Sequence, residues 1–340
     1  MKNIAIELKN IVKKFNDTTA VDHINLTINK GELVTFLGPS GCGKTTTLRL
    51  IAGLELPSSG DIIINGQNVS QKSAADRNVG MVFQSYALFP HMTVMDNVIY
   101  GPITRGEKKA DAVQRANDVL ALIGLNGFSH RYPSELSGGQ QQRVAVARAI
   151  VQQPDVLMFD EPLSNVDAKL KRKVRREIRE LQQRFGITAV YVTHDQEEAL
   201  AVSDKVVVMK SGQIEQVGTP EDLYQHPNSQ FVADFIGDAN LLSGEVTQGV
   251  LHLEQWKIDA QNRSDGPTVV SIRPELIQLS AQATQLSGEI ANATYLGSRM
   301  EYEVLTSAGE LLVSRPANEP RWQAKQRVYL AINPDELIYV

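Results

Sequence analysis

The stretch GPSGCGKTTTLRL, residues 38–50, sets three glycines and one lysine directly before a helix-like run. Ahead of it, Leu33-Val34-Thr35-Phe36-Leu37 is a short apolar, β-prone segment bounded by Gly31 and Gly38. Behind it, Leu48, Leu50 and Ile51 recur at helical spacing until Gly53. A strand, a glycine-rich turn and a helix are the context in which G-x-x-x-x-G-K-[ST] binds phosphate. Here that pattern runs unbroken through Gly38, Pro39, Ser40, Gly41, Cys42, Gly43, Lys44 and Thr45, with Thr46 next in the helix. Glycines let successive backbone N–H groups turn inward as a nest for anionic oxygens. The helix N-terminus adds partial positive charge at the same point. Lys44 then supplies a full charge for the β- and γ-phosphates, and Thr45 a hydroxyl for Mg²⁺. Cys42 reads as a small loop residue whose backbone, not its thiol, faces the phosphates.

Composition bounds the rest. The 340 residues suffice for about two domains, with 42% hydrophobic and 21% charged residues, as in an ordinary folded protein with a real core. A net charge of −5 argues against a general nucleic-acid binder. One cysteine excludes a disulfide framework and points to a reducing compartment. The N-terminal MKNIAIELKNIVKKF interleaves charges with apolar residues, unlike a signal peptide, and no apolar run approaches the ~20 residues that span a bilayer.

A second constellation names the machine. Asp155-Val156-Leu157-Met158-Phe159-Asp160-Glu161-Pro162 reads as a buried strand delivering two carboxylates at its C-terminal end, where α/β sheets place ligand chemistry. Asp160 would hold Mg²⁺, and Glu161, aimed differently, would polarise an attacking water. Between the two motifs, Leu136-Ser137-Gly138-Gly139-Gln140 opens the helical run that follows it, a second helix N-terminus receptive to anions. Two phosphate grips for one nucleotide are reconciled by a two-fold homodimer in which each grip closes on the nucleotide held by the other subunit.

LSGGQ at 136–140, GPSGCGKT at 38–45 and VLMFDEP at 156–162 together resemble the ATP-binding cassette (ABC) ATPases. The resemblance implies a P-loop α/β core with a helical subdomain and further site residues. Gln84 matches the glutamine that contacts Mg²⁺ and senses the γ-phosphate. His194, after Ala189-Val190-Tyr191-Val192-Thr193, matches the switch histidine that holds the γ-phosphate and the water. Ser164-Asn165-Val166-Asp167 matches the loop that crosses between subunits, and Phe15 falls where an aromatic ring stacks on adenine. ATP and Mg²⁺ are the implied ligands; Ser137, Gly138, Gly139 and Gln140 would meet the partner's ATP.

Strand and helix patterns alternate over 1–236, with a mostly helical subdomain at about 85–155, where Val113, Ala116, Val119, Leu120 and Ile123 line one helix face. Ser85-Tyr86-Ala87-Leu88-Phe89-Pro90-His91-Met92 reads either as core packing or as a docking groove for a helix from a membrane permease. KLKRKVRREIR at 169–179 reads as a solvated basic face over a stripe of Leu170, Val174, Ile178 and Leu181. Residues 237–340 switch to short alternating strands, a β-barrel-like accessory domain. Ile272-Arg273-Pro274-Glu275 and Tyr295-Leu296-Gly297 resemble the regulatory (TOBE-type) domain of the maltose, polyamine, sulfate and ferric-iron importer ATPases.

RNVGMVFQSYALFPHMTVMDNV, FDEPLSNVDAKL and VADFIGDANLL resemble most the ferric-iron importer ATPases. The implied assembly is a homodimer on the cytoplasmic face of the inner membrane, against two permease subunits or one fused permease, with a solute-binding protein upstream and no nucleic acid. Polyamine, phosphonate, sugar phosphate and sulfate are the alternative cargoes. The rivals of another class are a soluble cassette acting on DNA or the ribosome, and a ligand sensor with a vestigial ATPase. A single cassette with no heptad run speaks against the first, and intact Lys44, Asp160, Glu161 and His194 against the second.

Overall fold

The computed structural model describes residues 3–163, 168–254, 256–261, 263–284 and 286–340, and the side chains of 168–170 lie outside that description. The chain divides into two compact units, Met1–Pro220 and Glu221–Val340.

In the first unit, β1 (Ile4–Phe15) and β2 (Thr18–Asn29) form an antiparallel ribbon that buries Ile6, Leu8 and Ile11 of β1 and Ile24, Leu26 and Ile28 of β2. Next come β3 (Leu33–Leu37), buried at every position, and α1 (Lys44–Ala52). β4 (Ser59–Ile64) and β5 (Gln67–Asn68) extend the ribbon to the order β2-β1-β4-β5. β6 (Val79–Val82) leads into the helices α2 (Val94–Thr104), α3 (Lys109–Leu122) and α4 (Gly138–Ile150). α3 buries Ala116, Val119 and Leu120 of the predicted face, with Ile123 buried just after it, while Val113 is only partly buried and Ala112 is buried in addition. β7 (Val156–Asp160), α5 (Ala168–Phe185), β8 (Thr188–Thr193), α6 (Gln196–Val202), β9 (Lys205–Lys210) and β10 (Gln213–Gly218) complete the unit. Val174 and Ile178 of α5 are buried, while Arg172, Lys173 and Arg176 are exposed, Arg176 pairing with Glu180, so these described basic residues lie on a solvated face.

The second sheet runs β10-β9-β3-β8-β7-β6, parallel except for the β9–β10 hairpin. Strands β3, β7, β8 and β9 are near-continuous buried runs because both faces are covered. The register sets the site. Leu37 lies opposite Thr193, Asp160 opposite Val192, and Val82 opposite Phe159. The segments leaving β3, β7, β8 and β6 therefore emerge side by side at one sheet edge, and they carry the phosphate loop, the carboxylates, His194 and Gln84.

The second unit opens with α7 (Pro220–Gln225) and α8 (Gln230–Phe235). Its strands are β11 (Asn240–Thr247), β12 (Val250–Leu253), β13 (Trp256–Asp259), β14 (Gly266–Ile272), β15 (Gln278–Ser280), β16 (Leu286–Tyr295), β17 (Arg299–Thr306), β18 (Gly309–Pro316), β19 (Arg327–Ala331) and β20 (Ile338–Tyr339). They form two antiparallel five-stranded sheets, β13-β12-β11-β14-β20 and β15-β19-β16-β17-β18, over one core that includes Val270, Ile290, Tyr302 and Val328. Arg273, 2% exposed, donates to the carbonyls of Tyr224, Ala233 and Ile236. That anchor is why 221–236, grouped with the first domain by its helix-like pattern, belongs to the compact unit formed by the β-rich segment.

Candidate functional site

Two glycines give the phosphate loop its shape. Gly43, the residue before α1, has φ 102°, and a Cβ there would stand 2.5 Å from Ala20 O. A Cβ on Gly38 would stand 2.3 Å from Met209 O. Strands β2 and β9 thus press on the loop from behind, and only glycine fits. Gly212 N–H donates to Cys42 O (3.0 Å) from the turn between β9 and β10. Lys44, 5% exposed, donates to Gly38 O (2.7 Å) and Pro39 O (2.9 Å). Among the described residues no carboxylate pairs with it. A buried ammonium facing carbonyl dipoles and no carboxylate at a helix N-terminus is matched to an anion. Cys42 is buried, its sulfur 3.7 Å from the Lys44 ammonium.

Asp160 and Thr45 meet across the sheet edge, with the Thr45 hydroxyl donating to Asp160 Oδ1 at 3.4 Å. Burial, and then the Glu161 charge, push the Asp160 carboxyl above the ordinary range, against Arg49 and the Thr45 hydrogen bond. A partly buried carboxylate beside a hydroxyl and a second carboxylate is a donor set for a hard cation, so these residues fit Mg²⁺. Glu161 turns away from the strand with φ 45°, a left-handed conformation that costs a non-glycine residue roughly 1–2 kcal/mol. Its N–H donates to Val192 O (3.0 Å), and the turn carries its carboxylate to 3.3 Å from His194 Nδ1. The two residues are 33 positions apart in the chain and share the exit of neighbouring parallel strands.

The histidine loop rests on a buried carboxylate. Glu198, 3% exposed, accepts from the hydroxyls of Thr193 (2.8 Å) and Tyr191 (3.1 Å), and its other oxygen is 3.3 Å from Lys171 Nζ. Asp195 caps α6 by accepting from Glu198 N–H (3.1 Å), and its own N–H donates to Thr193 Oγ1 (3.0 Å). Both neighbours of His194 are tied into this network, which sequence reading did not single out. The spacing Asp195-x-x-Glu198, a helix-start signature, was its one legible trace.

The LSGGQ turn opens α4. Gln140 N–H donates to Ser137 O, and Ser137 N–H to Gln140 Oε1, each at 2.9 Å. Ser137 and Gly138 are exposed and Gly139 is buried. The structure does not bring this turn into the cluster around Lys44, Asp160, Glu161 and His194 through any described hydrogen bond or ion pair. Gln84 stands two residues beyond β6, on the surface. In the stretch after it, Tyr86 and Leu88 pack against the core, while Phe89 lies 4.8 Å from the Tyr100 ring. Phe83, Tyr100 and Ile103 remain exposed. Phe15 ends β1 with its ring 43% exposed and Lys13 Nζ 4.7 Å from its centroid. Ser164-Asn165-Val166-Asp167 lies outside the described residues.

A phosphate loop, two carboxylates and a histidine on one edge of a parallel sheet, with LSGGQ on a separate helix, define an ATP-binding cassette ATPase. Residues 21–164 match the ABC transporter family and 270–340 the TOBE domain family. The chain is 54% identical over 323 residues, 93% of this chain and 92% of the relative, to "Fe(3+) ions import ATP-binding protein FbpC" of Brucella abortus (strain 2308). It is 52% identical over 335 residues, 96% of this chain and 95% of the relative, to "Fe(3+) ions import ATP-binding protein FbpC 1" of Rhizobium meliloti (strain 1021). This chain belongs to the ABC transporter ATPases. Among solved structures, the cassette MJ1267 in its ADP conformation aligns with TM-score 0.61 and 27% identity, covering 67% of this chain and 98% of that one. A dimeric post-hydrolysis state of the cassette MJ0796 bound to ADP and Pi aligns with TM-score 0.55 and 32% identity, covering 63% and 98%. The ABC ATPase fold binds ATP. Among the described residues no helix is long and apolar enough to cross a membrane.

Proposed function

We propose that this chain is the ATP-hydrolysing subunit of an importer of ferric iron. It works as a homodimer at the cytoplasmic face of the inner membrane, against two permease subunits or one fused permease, with a solute-binding protein delivering the cargo. The observation that carries the hydrolytic part is the 3.3 Å approach of His194 Nδ1 to Glu161, beside Asp160 and Thr45. The iron part is supported by relatives named for Fe(3+) import that are more than 50% identical over nearly the whole chain.

Phe15 stacks on the adenine, and the residues from Gly38 to Thr46 cradle the phosphates, with Lys44 on the β- and γ-oxygens. Thr45, Asp160 and Gln84 hold Mg²⁺, which neutralises phosphate charge when bound. Glu161 accepts the proton of the attacking water, and His194 fixes that water and the γ-phosphate. Ser137, Gly138, Gly139 and Gln140 of the partner close over the same nucleotide. ATP thereby favours the closed dimer over the open one, and hydrolysis releases it. The exposed rings beside Gln84, with Phe89, form the contact with the permease. The β-rich unit is the regulatory domain.

The test is uptake of radioactive ferric iron by proteoliposomes holding the complete transporter, with putrescine, phosphonate, a sugar phosphate and sulfate run in parallel. ATP-dependent uptake of iron alone is the expected result. Uptake of another of these solutes, with none of iron, would reassign the cargo and leave the ATPase reading intact.

A further inference from the structure

The loop that follows Gln84 is fastened at both ends by polar side chains from two different helices. Tyr86 N–H donates to Phe83 O (2.9 Å) and closes a turn with Gln84 and Ser85 at its centre. Tyr86 and Ala87 then adopt left-handed backbone, φ 59° and 47°, with no glycine between them. Both of their carbonyls are taken by Arg148 of α4: Nη1 donates to Ala87 O (2.7 Å) and Nη2 to Tyr86 O (3.0 Å). The guanidinium also lies 5.6 Å from the centroid of the Phe89 ring. At the far end, Asn97 of α2 is fully buried, accepting from Phe89 N–H (2.8 Å) and donating to Phe89 O (3.1 Å) and Thr93 O (3.0 Å).

Two consecutive left-handed residues are an unfavourable state that persists only where the surroundings determine it. Asn97 fixes the exit of the loop. The entry, next to Gln84, depends on the fork of Arg148, whose two parallel donors a lysine cannot reproduce. Arg148 also sits on the helix that opens with Ser137-Gly138-Gly139, so one rigid element joins the LSGGQ turn to the Gln84 loop.

We propose that Arg148 is a positioning residue for Gln84. It holds Tyr86 and Ala87 in the left-handed state that sets where Gln84 stands, and it makes the Gln84 loop and the LSGGQ helix move as one piece. This rests on the reading of Gln84 as a contact to the γ-phosphate and Mg²⁺.

The experiment compares the full chain with Arg148→Lys, Ala87→Gly, the double variant, and Gln84→Ala as reference. Steady-state MgATP hydrolysis and amide hydrogen exchange over 83–89 are measured for each. Arg148→Lys lowers kcat about tenfold, leaves KM for ATP within about twofold and raises exchange across 83–89. Ala87→Gly alone changes kcat by less than about twofold. In the double variant it restores most of the lost kcat and protection, because glycine enters the left-handed region freely. A role of Arg148 confined to packing α4 would not be rescued at position 87, and absence of rescue overturns the proposal. Should Arg148→Lys misfold, Ala87→Val tests the same point with the arginine intact: valine resists left-handed backbone, so it must raise exchange at 83–89 and lower kcat, and wild-type behaviour refutes the proposal. Unchanged kcat in Gln84→Ala, with exchange responding to Arg148→Lys as stated, would instead locate the failure in the reading of Gln84.

Discussion

Replacing Glu161 by glutamine isolates one proton acceptor while leaving its surroundings nearly intact. Glutamine keeps the volume of the side chain, the same left-handed backbone demand and the N–H bond to Val192 O (3.0 Å). The side chain is 26% exposed, so the loss of charge there leaves no buried unpaired group behind. The unfolding free energy is therefore expected to move by less than about 0.5 kcal/mol. Asp160 gains, because Glu161 is one of the two influences that push its carboxyl up, after burial. With that neighbour neutral, Asp160 ionises more readily, and affinity for MgATP is unchanged or higher. The chemical step loses its base. A positioned general base contributes 10²–10⁴ in rate, or about 3–5 kcal/mol of barrier. Pre-steady-state hydrolysis of γ-labelled ATP, alongside equilibrium nucleotide binding, reads both quantities. A kcat within about threefold of wild type would refute Glu161 as the base, and loss of ATP binding would refute the claim that its role is chemical.

Three further outcomes follow from the geometry. The Asp160 carboxyl, raised first by burial, binds its proton more tightly folded than unfolded, so it withdraws stability as pH climbs from about 3.9 through its folded value; without nucleotide or Mg²⁺, Asp160→Asn should gain urea resistance over wild type as pH rises from 4 to 7, and a constant gap would contradict the assignment. Arg77, 2% exposed, caps α1 by donating to Leu50 O (2.6 Å) and Ile51 O (2.8 Å), so Arg77→Ala should cost about 2–4 kcal/mol in denaturant unfolding; a loss under about 0.5 kcal/mol would show the cap to be dispensable. Phe15→Ala should raise KM for ATP by the ~1–3 kcal/mol of a base-stacking ring while kcat holds, and an unchanged KM would remove Phe15 from the site.

Local order carried much of this into the sequence. Leu33–Leu37, the glycine loop and the helix to Ala52 are contiguous, so strand, turn and helix could be read from neighbours alone. The carboxylate strand was equally legible, since an apolar run ending in Asp160 and Glu161 needs no partner to be recognised. What escaped depends on distant contacts. Tyr86 and Ala87 are ordinary L-residues with no glycine to announce a left-handed turn, and their cause, Arg148, is about 60 positions away. The pairing of Lys171 with Glu198 joins two helices across β8. Tyr224 and Arg273 likewise meet across 49 residues, beyond the reach of any periodicity, within the compact unit Glu221–Val340. In the stretch after Gln84, one motif divides between two fates, Leu88 into the core and Phe89 against Tyr100 near the surface.

The central claim is that two copies of this chain enclose two molecules of ATP, each held by the phosphate loop of one copy and the LSGGQ turn of the other. Sedimentation equilibrium of the Glu161→Gln chain with MgATP measures it directly, with Gly139→Asp added in a second sample. The predicted result is a species of twice the chain's mass holding two ATP, which reverts to an ATP-bound single chain when Gly139 is changed. A single chain that binds ATP at every concentration and never pairs, or a dimer indifferent to Gly139→Asp, would contradict it.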